Sequence, residues 1–364
     1  MTTIIAADVA RLLARTPSLL EPLRGASLFI SGGTGFFGTW LLETVLAANR
    51  ERSLGCRVVV LSRDPARFAA KAPHLAVDPA VSFIEGDVRS FRFPDTPVSH
   101  VIHAATEASA SLNANDPQTM FDTCVEGTRR MLLLAMEKGC QRFLFTSSGA
   151  VYGRQPPDLV HVSEDFYGGP DLLDVRNAYA EGKRAAEMLC AMAARPSADV
   201  SLHVSIARCF AFVGPHLPLD AHFAIGNFIR DCVAGGPIRI GGDGTPFRSY
   251  LYAADLAEWL VTILLRGESG RAYNVGSEEA VSIRQLAERV ADVAASVWPD
   301  RGRPEILMAK QPRPGTPAER YVPECRRARE ELGLVPATSL DDSIRLTMLA
   351  AMEGGSTPVA FRKE

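Results

Sequence analysis

The sequence predicts a doubly wound α/β fold, with a parallel (Rossmann) sheet followed by a smaller C-terminal substrate-binding lobe. Three observations carry that expectation. Short apolar runs alternate with longer helical patterns between residues 26 and 207. A glycine-rich turn joins the first run to the first helix, and the alternation stops near residue 208. The candidate strands are 26–31, 57–62, 81–85, 100–104, 142–147 and 202–207. They are short and almost wholly apolar, the pattern of strands buried on both faces. Helical patterns at 37–49, 116–138 and 178–194 supply the crossovers that parallel pairing requires.

Outside this core, residues 4–24 read as an added amphipathic helix with Val9, Leu12, Leu13, Leu19 and Leu20 as its apolar stripe. After residue 208, Pro215, Pro218, Pro237 and Pro246 and the pairs Gly235-Gly236 and Gly241-Gly242 punctuate loops. Helices are expected near 254–265, 283–297 and 323–332. The domain map is a helical extension at 1–25, a dinucleotide-binding domain at 26–207 and a smaller lobe at 208–364, with some exchange of segments between the lobes.

Composition narrows the functional class. Of 364 residues, 47% are hydrophobic and 22% charged, as in an ordinary globular protein, which excludes global disorder. A net charge of −3 provides no basic field for nucleic acid or an anionic membrane. The seven cysteines are scattered without a C-x-x-C spacing, which argues against a disulfide framework or a metal site. No basic-then-apolar signal opens the chain, and no apolar run approaches the roughly 20 residues of a membrane span. A cytoplasmic, soluble protein is expected.

The turn Ser31-Gly32-Gly33-Thr34-Gly35-Phe36-Phe37-Gly38 fits G-x-G-x-x-G through Gly33, Gly35 and Gly38, and G-x-x-G-x-x-G through Gly32, Gly35 and Gly38. Glycine there permits a tight turn, close approach of backbone to pyrophosphate, and close helix-on-strand packing. The phosphates then meet free N–H groups at the positive end of the helix dipole. A dinucleotide cofactor, NAD, is expected. The second strand ends at Ser62-Arg63, where an acid would bind the ribose of NAD; a hydroxyl and a cation there suit the 2′-phosphate of NADP, with Asp64 as the alternative acid. Asp87, after the third strand, can face the adenine amino group.

Tyr179 and Lys183 lie four residues apart on one helical face, and an ammonium near a phenol favours its phenolate. Such a pair suits proton transfer at a carbinol carbon while hydride moves to nicotinamide. The stretch Thr146-Ser147-Ser148-Gly149-Ala150-Val151-Tyr152-Gly153 ends the fifth strand, where an open α/β sheet places its chemistry.

In these motifs the chain resembles the extended short-chain dehydrogenase/reductase family, and within it the NAD-dependent epimerase/dehydratase branch acting on nucleotide sugars. The resemblance runs from residue 26 to about 335. It continues through His103-Ala104-Ala105, Arg208, Gly214-Pro215, Arg248-Ser249-Tyr250, Tyr273-Asn274-Val275-Gly276 and Arg313-Pro314-Gly315. It implies Ser148, Tyr179 and Lys183 as the catalytic trio. It also implies cofactor contacts along Gly32, Gly35, Phe36, Phe37, Gly38, Ser62, Arg63, Asp87, Val88, Ala104 and Ala105. Substrate contacts are implied at Glu107, Ser148, Gly149, Asn227, Arg248 and Arg313. The other reading of Arg248 is a partner for Asp243 or Asp255. A nucleotide-sugar substrate and a homodimer follow from the same resemblance, and no metal.

The chain departs from the family in ways that bear on the reaction. Dehydratases of this kind carry Thr-Asp-Glu where this chain has Ser148, Gly149 and Ala150, and decarboxylases usually carry a glutamate at the last position. Neither Gly149 nor Ala150 can move a proton. A 4-epimerase or related C4 oxidoreductase, which needs no elimination acid, is therefore favoured. The alternatives are a dehydratase with an acid displaced to Glu107 or Glu164, an NADP-dependent reductase, and a non-catalytic nucleotide sensor. Cys124 and Ala211 stand where relatives often carry asparagine.

Overall fold

A computed structural model describes residues 2–106, 110–196, 202–221 and 223–353. Six strands form the body of one sheet: β1 (Ser27–Ser31), β2 (Arg57–Ser62), β3 (Val81–Glu85), β4 (His100–His103), β5 (Arg142–Ser148) and β6 (His203–Cys209). All pair in parallel, in the order β6-β5-β4-β1-β2-β3, and the strand Ala272–Val275 adds a seventh beyond β6. The predicted strands all form, with ends moved by a residue or two. β1 is buried along its whole length, as the sheet centre requires, whereas the edge strand β3 is only partly covered.

The order reverses between β1 and β4, with Ile30 pairing with Val60 on one side and Ile102 on the other. Such a reversal opens a crevice at the carboxyl ends of the strands. Ser31, Ser62 and Ser148 end three of those strands. Helices Phe36–Arg52 and Ala253–Arg266 cover one face, and Pro117–Glu137 and Ala178–Ala193 the other.

The N-terminal helix is shorter than its apolar stripe implied. It spans Thr3–Arg15 and is capped by Thr2; Leu19 and Leu20 are buried in the turn that follows. Pro17 stops it, because the residue before a proline is driven out of the helical region. The helix is tied down at its polar positions as well: buried Asp8 accepts the Tyr252 hydroxyl at 2.5 Å, and Arg15 reaches Asp255 at 2.5 Å.

The second lobe has its own core, where Ile225, Phe228, Leu286, Val290, Ile344 and Met348 close together. Its helices are Ala224–Val233, Ile283–Val297 and Leu340–Glu353. The first and last of these fall where the sequence showed only loop punctuation or no periodic signal. The chain between them returns to the central sheet to lay down Ala253–Arg266 and Ala272–Val275. Among the described residues no helix is long and apolar enough to cross a membrane.

Candidate active site

The turn after β1 is built by exclusion of side chains. Gly32 has φ +72°, and a Cβ there would lie 2.6 Å from the Ala104 carbonyl carbon. A Cβ on Gly38 would lie 2.2 Å from Gly33 Cα, and one on Gly33 2.7 Å from Val60 Cγ1. Gly35 differs: the nearest atom to its Cβ position is Gly32 O at 3.4 Å. The room beside Gly35 is a cradle that a methyl group would fill, at the start of helix Phe36–Arg52. The N–H groups of Phe36, Phe37 and Gly38 lie in the first turn of that helix, where amides lack intrahelical partners and favour an anion. These residues fit the pyrophosphate of a dinucleotide. The Phe37 ring packs edge-on against Phe212 at 5.1 Å, so Phe37 serves the site through its backbone.

Opposite the turn, Ala104 N–H donates to Ser31 O and Ala105 N–H to Ser31 Oγ, at 3.0 and 3.3 Å. Buried His103 fixes this corner through Ser31 Oγ (2.7 Å) and Thr128 Oγ1 (3.0 Å). Burial and the nearby Lys183 ammonium push its pKa down to about 3, so it is neutral.

At the tip of β2, Ser62 accepts the Asp64 N–H at 3.2 Å, and Asp64 caps helix Pro65–Lys71 by accepting the Arg67 N–H at 2.8 Å. The fallback acid is thus already in use as a helix cap. Asp87 accepts both arms of Arg89, at 2.9 and 3.0 Å, and that bond holds its carboxyl below the usual range, with a further contribution from Arg63. Val88 is buried beneath it, where it leaves no room for a side chain at Gly127.

The catalytic candidates meet at the end of β5. Lys183 is 2% exposed; its Nζ donates to Thr146 O at 2.6 Å and Thr106 Oγ1 at 3.0 Å. It lies 5.9 Å from the Tyr179 ring centroid. The sequence led us to expect this ammonium to favour the Tyr179 phenolate. Instead, burial pushes the phenol up, and the opposing pull comes from its hydrogen bond with Ser148. The lysine spends its protons on Thr106 and the strand backbone, and burial pushes its own pKa down.

Behind Ser148 lies a buried polar network. Arg208 grips Glu187 at 3.0 and 2.7 Å and donates to the Tyr152 hydroxyl at 2.9 Å. Tyr152 donates to Asn274 Oδ1 at 2.8 Å, and Ser147 to Glu187 at 2.5 Å. Glu164 accepts the Asn274 N–H at 2.7 Å, so this carboxylate braces the edge strand. The Val-Tyr-Gly end of the motif is structural.

The substrate candidates divide. Glu107 lies outside the described residues. Gly149 sits at the site, and a Cβ there would lie 2.7 Å from the Phe210 ring. Arg248 stands 5.9 Å from the Tyr321 ring and donates to Phe247 O. Its proposed acidic partners are engaged elsewhere, Asp243 with Thr245 and Asp255 with Arg15. Asn227 accepts a bond from Arg230 at 3.2 Å, on helix Ala224–Val233. Arg313 is exposed on the loop before strand Arg320–Tyr321. Cys124 is buried, packed where Gly182 leaves room for it.

Sequence reasoning missed Tyr321 and Phe210. Tyr321 lies 3.3 Å from Ser148 Oγ and packs against Phe210, tilted by 40° with ring centroids 4.7 Å apart. Its only signal was a single aromatic in a polar stretch.

Residues 28–276 match the NAD dependent epimerase/dehydratase family. UDP-glucuronic acid decarboxylase 6 of Arabidopsis thaliana is 29% identical over 343 residues, covering 91% of this chain and 92% of that protein. A UDP-glucose 4-epimerase of Thermus thermophilus, solved in complex with NAD, is 25% identical with a TM-score of 0.71, covering 91% and 100% of the two chains. A UDP-glucose 4-epimerase of Thermotoga maritima, solved with UDP-glucose, shares the fold at 20% identity with a TM-score of 0.72, covering 90% and 99%. The chain belongs to the NAD-dependent epimerase/dehydratase family of nucleotide-sugar enzymes, and its cofactor is NAD.

Proposed function

We propose that the protein is a nucleotide-sugar 4-epimerase or a closely related C4 oxidoreductase working through a 4-keto sugar. Ser148 holds the C4 oxygen, Tyr179 takes its proton, and Lys183 fixes the floor of the site through Thr146 O. NAD, when bound, accepts hydride from C4 and returns it. Glycines 32, 35 and 38 and the first turn after them orient that cofactor, and Asp87 receives its adenosine end. Arg248 would meet the substrate's diphosphate, for which a planar guanidinium is well suited.

One observation carries the choice of reaction. Where elimination would need acids, the chain has Gly149 and Ala150, and the space at Gly149 is taken by the Phe210 ring. Glu164 offers no substitute, since its carboxylate accepts the Asn274 N–H. With no acid at positions 149 and 150 among the described residues, the keto sugar would turn and be reduced on its other face.

A second reading is supported by the decarboxylase relatives. Oxidation at C4 of a uronic acid makes a β-keto acid, which loses CO₂ without an elimination acid. A panel of UDP-, dTDP-, CDP- and GDP-sugars, with UDP-glucuronic acid among them and products read by NMR, separates the readings. C4 epimers with no net NADH are expected. CO₂ release from UDP-glucuronic acid would establish the second reading, and a 4-keto-6-deoxy product would overturn both.

A homodimer is part of the same proposal. Leu133 and Met136 on one helix and Met188 and Met192 on its neighbour are exposed apolar side chains, the kind a second copy would cover.

A further inference from the structure

Ser148 is held between two phenols, and only one of them belongs to the Tyr/Lys helix. Its Oγ accepts the Ala150 N–H at 3.2 Å and lies 3.3 Å from the Tyr321 hydroxyl, while its hydroxyl favours ionisation of the Tyr179 phenol. Tyr321 arrives from strand Arg320–Tyr321, which pairs with Phe247–Arg248 of the second lobe. Its ring is held by Phe210, and its hydroxyl lies 3.4 Å from the Cys209 carbonyl oxygen.

The carbonyl decides the direction of the bonds, because it can only accept. With the Tyr321 proton on Cys209 O, the Tyr321 oxygen accepts from Ser148, and the serine oxygen accepts from the Tyr179 phenol. With Tyr179 as phenolate the chain runs the other way: Tyr321 donates to Ser148, and Ser148 donates to the phenolate. The exchange gives up only the long bond to Cys209, and hydrogen bonds in series strengthen one another.

We propose that Tyr321 is a positioning residue that sets the direction of the Ser148 hydroxyl and, by giving the serine a donor of its own, favours the proton-accepting form of Tyr179. The proposal rests on the reading of Tyr179 as the base at C4. Other groups face the pair. Lys183 on its own helix, Cys124 on helix Pro117–Glu137 and Cys209 on β6 stand around Tyr179, while Arg248 and Cys209 stand around Tyr321. Burial pushes both thiols up, so they are neutral. Lys183 donates to Thr106 and Thr146 O, and Arg248 favours ionisation of Tyr321 rather than of Tyr179; neither supplies Ser148 with a donor.

Tyr321→Phe keeps the ring against Phe210 and removes only the hydroxyl. Three variants, Tyr321→Phe, Ser148→Ala and the pair together, are compared for hydride transfer from a turned-over nucleotide sugar to bound NAD as a function of pH, beside a crystal structure of Tyr321→Phe. We expect kcat to fall about tenfold with KM little changed, the loss of one hydrogen bond that acts on the reacting state. The limb of the pH profile that reports loss of the Tyr179 proton moves up by about one unit. In the Ser148→Ala background the second change adds nothing, because Tyr321 acts through the serine. The crystal structure of Tyr321→Phe should show Ser148 Oγ turned away from Tyr179.

An unmoved limb together with Ser148 Oγ in place overturns the proposal, as does an additive double variant. If Ser148→Ala and Tyr179→Phe also leave transfer untouched, the catalytic reading itself has failed. The orientation of Ser148 in the crystal then still decides whether Tyr321 positions it.

Discussion

At residues 32–38 a side chain is excluded by backbone: the Cβ positions of Gly32 and Gly38 fall on the main chain of Ala104 and Gly33. At the end of β5 the excluded side chain meets another side chain, since Gly149 faces the Phe210 ring. Backbone leaving the ends of two central strands cannot move aside without disturbing those strands, whereas a ring can turn. The cofactor turn is therefore fixed by the fold. The patch around Ser148 and Gly149 is shaped by Phe210 and by Tyr321, which enters from the second lobe. One scaffold can carry several reactions on these terms, because changing the patch leaves the cradle intact.

Four substitutions test that contrast, the largest effect first. Tyr179→Phe removes the proton acceptor without touching either glycine set; turnover should fall about 10³-fold while melting temperature and NAD retention stay the same. Gly38→Ala drives a methyl group to 2.2 Å from Gly33 Cα. It should cost about 3 kcal/mol in chemical denaturation and yield protein that purifies without NAD. Gly149→Ala presses on the movable Phe210 ring and should cost about 1.5 kcal/mol, with NAD retained and turnover reduced. Pairing it with Phe210→Leu should recover most of the lost stability, whereas no side-chain change can relieve Gly38→Ala. Gly35→Ala is the mildest: its methyl finds nothing nearer than 3.4 Å, so folding is unchanged while NAD affinity, read by calorimetry, falls about tenfold.

The same contrast explains what could be read in the sequence. β1, the turn, β2, β4 and β5 were legible because burial on both faces demands continuous apolar runs, and a turn closed by backbone demands glycine. Tyr179 and Lys183 were legible as a one-turn pair. The ionisation of Tyr179 was not, because burial pushes the phenol up and that burial exists only once the fold has formed. The N-terminal helix was overextended because its apolar spacing continues past Pro17 into residues buried in a turn. Tyr321 and Phe210 gave no signal because their roles exist only once residues far apart in the chain are brought to Ser148. Asp64, a plausible ribose acid by position, became a helix cap when Pro65 opened a helix beside it.

In the proposed reaction the site oxidises C4, eliminates nothing and returns the same hydride. Turnover of a UDP-sugar carrying deuterium at C4, with products followed by NMR, tests it most directly. The expected product is the C4 epimer with deuterium retained at that carbon and no net NADH. A product that has lost its C6 carboxyl or its C6 oxygen, or deuterium washed into solvent, would contradict it.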